Sequence, residues 1–358
     1  SVSVDHDEAA EQLHTLIGAS VEEQLMSDVP LGFFLSGGID SSILVALAAQ
    51  NRGNLDTFSI GYDPASHDET NYADQIADSF NTNHHKQILE AGDAADLPGR
   101  ILAWYDEPFA DSSALPTWHV SRFTRAHATV ALSGDGADEL FGGYRWYWRY
   151  PAFRAAQAPL RWLSAKGPRT GMARHLRGKL ERIATRIDLY SHFDPLELYA
   201  ALLGGIIGPE KRRWADALEI EPDYDSMWHF RQFDRTELGT RKRLQHIDFH
   251  TFLPDDILTK VDRASMAVSL EARVPYLSRA VMEYTATLPE DFLYRDKTGK
   301  GGLKYAFADM LPPAIRQRPK KGFSIPMQSW AGQSMDGAAT LEEAVLQRFL
   351  DDNGAHRL

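Results

Sequence analysis

Two short stretches hold the side chains whose types and spacing could do chemistry. The first is Leu35-Ser36-Gly37-Gly38-Ile39-Asp40-Ser41-Ser42, and the second is Ser133-Gly134-Asp135-Gly136-Ala137-Asp138-Glu139. The first lies between an apolar run, Leu31 to Leu35, and a stretch with apolar residues at Ile43, Leu44, Leu47 and Ala48, the spacing of a buried helix face. It reads as strand, loop, helix. At such a junction the first-turn N–H groups lack internal partners and sit at the positive end of the helix dipole, so the loop can bind an anion. Gly37 and Gly38 let the backbone approach that anion, and Ser36, Ser41 and Ser42 add hydroxyl donors. Asp40 puts a carboxylate where a phosphate would otherwise be welcome, which makes sense when a divalent cation lies between them. The loop is expected to be a magnesium-polyphosphate cradle. The plainer alternative is a tight turn with Asp and Ser as N-caps.

The second stretch follows Ala128-Thr129-Val130-Ala131-Leu132-Ser133, a further strand. Its acidic residues would then share a sheet rim with Asp40. Magnesium usually takes one or two protein carboxylates and completes its shell with phosphate and water, so Asp40 and Asp138 would suffice.

The elements needed to position these loops are visible in the patterning. Apolar residues at Leu13, Leu16, Ile17, Val21 and Leu25 predict an amphipathic helix over 7–27. Strands are expected over 57–62, 84–89 and 128–133, and helices over 71–80, 94–105 and 113–127. Strands alternating with helices imply an α/β fold with a doubly wound, mostly parallel sheet, on which ligands sit at the carboxyl ends of the strands. Beyond Tyr150 the strand signals stop, so residues 1–150 are expected to form the nucleotide-binding part and 151–358 a helical C-terminal part. Most of Lys260, Asp262, Arg263, Glu271 and Arg273 read as structural ion pairs clamping the helical region to the sheet. Arg318 to Phe323 differs: a basic loop broken by Pro319 and Gly322 is a poor core element and could reach a nucleotide cleft.

Composition sets the outer limits. The chain has 358 residues, 43% hydrophobic and 25% charged, enough for one large core or two moderate ones. A net charge of −12 disfavours a nucleic-acid partner, because phosphate neutralisation dominates such binding. Cysteine is absent, which excludes disulfides, thiolate metal sites and a cysteine nucleophile. No stretch has the length of a membrane-spanning helix and the N-terminus has no signal pattern, so the expected setting is cytoplasmic, without membrane contact. The chain opens Ser-Val-Ser-Val without an initiating methionine and reads as a piece of a longer polypeptide.

The first loop resembles the Ser-Gly-Gly-x-Asp-Ser loop of the ATP pyrophosphatases. Together with Asp106-Glu107-Pro108-Phe109, the second loop through Gly142-Gly143-Tyr144, Lys260-Val261-Asp262-Arg263-Ala264-Ser265-Met266-Ala267, Leu270-Glu271-Ala272-Arg273-Val274-Pro275 and Arg318-Pro319-Lys320-Lys321-Gly322-Phe323, it resembles, in order, the synthetase domain of asparagine synthetases. The likeness runs from about residue 10 to residue 330. It implies that a carboxylate attacks the α-phosphate of MgATP, giving an acyl-adenylate and pyrophosphate, and that ammonia then displaces AMP. It further implies Lys320 as the catalytic lysine with Lys321 its rival, Leu35 and Ile60 lining the adenine pocket, Ser133 and Gly134 at the AMP moiety, and Asp135 beside the acyl group. Aspartate is the leading carboxylate, and a glutaminase domain or subunit would supply ammonia. A homodimer is left open.

Departures from that pattern matter. Asparagine synthetases usually carry glutamate where Asp135 stands, and a carboxylate shorter by one methylene changes the pocket at the acyl acceptor. Ser278 replaces a common aspartate and reads as structural. A cyclase of the lasso-peptide or β-lactam type, a sugar-acid amidotransferase and a nucleotide-binding scaffold without catalysis remain open readings.

Overall fold

The computed structural model describes residues 5–63, 70–94, 96–165, 190, 192–203, 211–212, 215–216, 220–221, 224–296, 298–318, 322–323 and 340–353, without the side chains of 160 and 162–165. It divides into two compact units, one comprising residues 1–143 with 252–357 and the other residues 144–251. The helical stretch expected after Tyr150 is thus distributed over both. Residues 252–357 belong with the sheet.

In the first unit, helix α1 (His6–Gln24) begins where Asp5 caps it, its carboxylate accepting from the N–H of Asp7 at 2.8 Å. Ala9, Leu13, Ile17 and Val21 recur at four-residue spacing and are all buried. Each larger member of that stripe stabilises the packing by about 1.5–3 kcal/mol. Strand β1 (Leu31–Phe34) leads through the first loop into α2 (Ile39–Asn51), whose residues from Ser41 to Ala48 are buried on every face. Then follow β2 (Asp56–Tyr62), α3 (Thr70–Phe80), β3 (Asn83–Leu89), α4 (Leu97–Tyr105), α5 (Ala114–Arg125), β4 (Val130–Leu132) and α6 (Ala137–Phe141).

The sheet order is β3-β2-β1-β4-β5, all parallel, with β5 formed by Glu271–Arg273. Gly32 at the centre of β1 faces Asp56 on one side and Ala131 on the other. A Cβ there would lie 2.5 Å from the Phe58 ring, so glycine is what lets that ring lie across the strand. On one face Phe58, Ile60, Tyr62, Leu89, Ile101 and Leu115 form a buried cluster closed by Leu341 and Val345. Strand β5 was not expected, since Glu271-Ala272-Arg273 has no apolar alternation. Its backbone register against β4 and the bonds of Arg273 Nη1 to the carbonyls of Gln24 (2.7 Å) and Met26 (2.8 Å) hold it instead.

In the second unit, helices Trp146–Ala165, Pro195–Leu203 and Thr240–His250 supply side chains around one fully buried carboxylate. Asp248 accepts from Trp146 Nε1 at 3.1 Å, Tyr147 OH at 2.5 Å and Tyr199 OH. Burial, outweighing these three bonds, pushes its carboxyl up to about 6. Asp248→Asn keeps the volume but offers one oxygen to three donors. It should destabilise this unit by about 2 kcal/mol, the cost of unmade buried hydrogen bonds, read as lower protection from proteolysis within 144–251. Unchanged protection would show that the three donors do not anchor the unit.

Candidate active site

Strand β1 is the point from which the sheet is wound in both directions: β2 and β3 lie to one side, β4 and β5 to the other. Ligands of such sheets bind outside the carboxyl ends of the strands at that point. The loops following β1 and β4 meet there. A Cβ on Gly134 would lie 2.9 Å from Asp40 Cβ and 3.1 Å from the Ser41 nitrogen, so the second loop rests directly on the first.

The first loop is tied by its own serines. Ser36 Oγ and Ser41 Oγ are 3.2 Å apart, the Gly38 N–H donates to Ser36 Oγ at 3.2 Å, and Ser41 Oγ donates to the Gly38 carbonyl at 3.3 Å. Gly37 turns the chain at φ +65°, where a Cβ would strike the Tyr72 and Ala73 backbone at 2.5 Å. Gly38 is the N-cap of α2 and has no side chain to cap it, which leaves the helix N-terminus facing the loop. Ser42, read as a cradle donor, has its side chain fully buried instead. Leu35, just after β1, and Ile60, on β2, are also buried.

Between the two loops sits a cation that the sequence reading did not select. Lys300 Nζ pairs with Asp40 Oδ2 and lies 2.9 Å from Asp138 Oδ1. The lysine is buried and its backbone is left-handed, with φ +56°. A non-glycine residue holds that conformation only where its surroundings fix it, and such strain collects at functional sites. Room for the side chain comes from Gly143, where a Cβ would lie 2.4 Å from Lys300 Cε and 1.8 Å from Asp138 Oδ1. Burial alone would discharge the amine, but Asp138 and Asp40 more than offset it and hold Lys300 protonated well above the usual lysine range. Below the loops, buried Tyr276 donates to the Asp40 carbonyl at 3.0 Å.

Asp135 stands beside this group. Ser133 Oγ donates to Asp135 Oδ2 at 2.5 Å, while Ser133 N donates to the Arg273 carbonyl at 2.7 Å, so β5 fixes the start of the second loop. Burial pushes the Asp135 carboxyl above the ordinary range, opposed by the Ser133 bond and by the charges of Lys260 and Lys300. Arg318 donates to the Ser36 carbonyl at 3.2 Å and stacks on Tyr72 with its guanidinium 4.5 Å from the ring centre. The basic loop therefore starts at the cradle. Lys320 and Lys321, the two catalytic candidates on it, lie outside the described residues. Of the expected ionic clamps, Lys260 pairs with Asp111 at 2.7 Å, Arg263 with Asp106 at 3.2 Å, and Arg273 with Glu271 within β5 at 2.6 Å.

The donor set suits magnesium. Asp40 and Asp138 converge on one point occupied by an ammonium, and two carboxylates are the usual protein share of a magnesium shell. No group of three or more acidic, histidine or cysteine residues that could hold a metal ion occurs among the described residues.

The sequence profile described as asparagine synthase matches residues 12–353. The chain belongs to the asparagine synthase family. It is 30% identical, over 94% of its own length, to Asparagine synthetase [glutamine-hydrolyzing] 1 of Bacillus subtilis, covering 52% of that protein. It is 32% identical over its whole length to a putative asparagine synthetase [glutamine-hydrolyzing] of Mycobacterium bovis, covering 55% of it. A putative asparagine synthetase [glutamine-hydrolyzing] 2 of Methanocaldococcus jannaschii is 35% identical over 73% of the chain and is covered over 50% of its length. The chain spans about half the length of these curated relatives. Within this asparagine synthase family chain, the role of Lys300 can be tested by what its loss leaves behind. Lys300→Met would leave two adjacent carboxylates without their buried counter-charge, a loss of about 3–5 kcal/mol. Thermal melting should drop without divalent cation and recover in part with magnesium. Equal melting of both proteins, insensitive to magnesium, would refute the site.

Proposed function

We propose that the chain is the synthetase part of an amide-forming ligase that activates a carboxylate with ATP, releases pyrophosphate and passes the acyl group to ammonia. The observation that supports it best is the convergence of Asp40, Asp138 and Lys300 where the β1 and β4 loops meet, with Asp135 alongside. The N-terminus of α2 and the Gly37-Gly38 turn would hold the β- and γ-phosphates. Asp40 and Asp138 would hold magnesium, which supplies charge neutralisation to the leaving pyrophosphate. Lys300, already in contact with both carboxylates, would add a cation close to the phosphates, and Lys320 would stabilise the charge that builds on the α-phosphate.

Leu35 and Ile60 would bound the adenine, Ser133 and Gly134 would meet the AMP moiety, and Asp135 would face the acyl group. Aspartate is the proposed carboxylate, giving asparagine and AMP. The relatives' names specify glutamine hydrolysis, and a glutaminase domain or partner would be the ammonia source. The 358-residue chain itself contains no cysteine to act as nucleophile on glutamine.

Purified chain given MgATP, ammonia and a panel of acids should release AMP and pyrophosphate in equal amounts, fastest with aspartate. A stronger response to a sugar acid or a peptide carboxylate would move the substrate, and no release with any acid would defeat the reading. Asp40→Asn should weaken magnesium-dependent ATP binding in calorimetry without unfolding the protein. Lys320→Ala should slow adenylation by on the order of a hundredfold at near-normal ATP affinity, and Lys321→Ala should be mild. The reverse ranking in pyrophosphate exchange would assign the lysine to the neighbouring position.

A further inference from the structure

The turn that carries Lys300 is tied by a carboxylate lying outside the meeting point of the two loops. Asp296 Oδ1 accepts from the Thr298 N–H at 2.7 Å, and Asp296 Oδ2 accepts from the Thr298 hydroxyl at 2.6 Å. The same Oδ2 takes a bond from Lys304 Nζ at 3.2 Å, and that ammonium also donates to the Thr298 hydroxyl. Thr298 comes just before Lys300 in the chain, and Lys304 comes a helical turn after it, the Lys304 N–H donating to the Lys300 carbonyl at 2.9 Å. The Asp296 carboxylate therefore closes across the residue whose Nζ reaches Asp40 and Asp138.

The backbone inside this clasp is left-handed at two successive residues. Gly299 has φ +86°, and Lys300, the N-cap of the helix Gly301–Ala306, has φ +56°. A lysine keeps that conformation only where its surroundings over-determine it. On its inner side the turn rests on the end of the second loop: a Cβ on Gly299 would lie 3.1 Å from the Gly143 carbonyl oxygen. The turn also folds tightly on itself, since a Cβ on Gly301 would lie 2.7 Å from the Asp296 nitrogen. On its outer side stands the clasp. The Asp296 side chain is 39% exposed, so it can be changed without opening the core or touching the candidate site. Partial burial works against its ionisation, but the bonds from Thr298 and Lys304 prevail and hold the Asp296 carboxyl below the usual range.

We propose that Asp296 is a positioning residue for Lys300: by bonding Thr298 on one side and Lys304 on the other, it presets the left-handed backbone that delivers Lys300 Nζ to Asp40 and Asp138. Without the clasp the turn would relax toward the right-handed backbone that a residue with a Cβ prefers. The Cα–Cβ bond of Lys300 would then point elsewhere, and the ammonium would leave the place where the two carboxylates converge. Asp40 and Asp138 would lose the buried charge that offsets their repulsion. That Asp296 holds Lys300 in place is independent of the reaction, whereas its consequence for phosphate chemistry rests on the proposed function.

The test compares the wild type with Asp296→Ala, Lys300→Met and the double variant. Asp296→Ala should slow pyrophosphate exchange by about ten- to a hundredfold at near-normal ATP affinity, the loss typical when a group that orients a metal-site residue is removed. In the Lys300→Met background the same substitution should slow exchange no further, because no ammonium is left to place. Asp296→Asn keeps an oxygen for the Thr298 N–H and should recover part of the rate; an Asn variant no better than Ala would overturn the part given to that bond. Thermal melting without divalent cation reads the clasp independently of the reaction. There the double variant should melt close to Lys300→Met alone. A merely structural clasp would lower melting by the same step whether residue 300 is Lys or Met, and that additivity overturns the proposal. Wild-type exchange in Asp296→Ala overturns the catalytic consequence. If no acid yields AMP, the functional reading fails while the melting comparison still decides whether Asp296 positions Lys300.

Discussion

The structure of the sheet unit turns on one balance of charge: two carboxylates, brought together by the adjacency of β1 and β4, and one buried ammonium between them. Parallel winding places the ends of these strands side by side, and neighbouring strands lie about 4.8 Å apart. Asp40 and Asp138 are therefore forced close, and they would repel strongly away from water. Lys300 offsets that repulsion. Much of the surrounding sequence can be understood as making room for it, from the glycine at 143 to the left-handed backbone at 300. An arrangement of this kind is a poor way to gain stability, because burying charges costs about as much as their attraction returns. It is a good way to hold negative groups in place for a ligand that brings its own cations.

How far the sequence disclosed this site depended on whether the information was local. The first loop was readable because apolar period, glycines and hydroxyls lie within a dozen residues and combine into one strand-to-helix turn. The second was readable for the same reason. Lys300 was not, because 260 positions separate it from Asp40 and its neighbours Gly299, Gly301 and Gly302 look like an ordinary turn. Only the tertiary path brings it to the rim. Strand β5 escaped notice for a related reason: three residues with two charges carry no alternation, and pairing with β4 overrides their propensity. Ser42 shows the limit of reading a loop by residue type, since helical geometry turns its hydroxyl inward while Ser36 and Ser41 close the loop on itself.

The ionic clamps expected between 260 and 273 proved to be of different kinds. Arg263 and Asp106 meet at an exposed surface, where such a pair contributes about 0–1 kcal/mol. Lys260 and Asp111 meet in the interior at 2.7 Å, where losing either partner would leave a buried charge unpaired. Sequence does not distinguish these cases, because both read as a basic residue on a helix.

The central question for this chain is whether the meeting point of the two loops is the phosphate and metal site. A crystal structure of the chain with magnesium and a non-hydrolysable ATP analogue would decide it. The phosphates should lie against residues 36–42 at the N-terminus of α2, with magnesium on Asp40 and Asp138 and Lys300 Nζ in contact with a phosphate oxygen. Nucleotide bound elsewhere, with the Asp40, Lys300 and Asp138 contacts intact and no metal beside them, would contradict this placement.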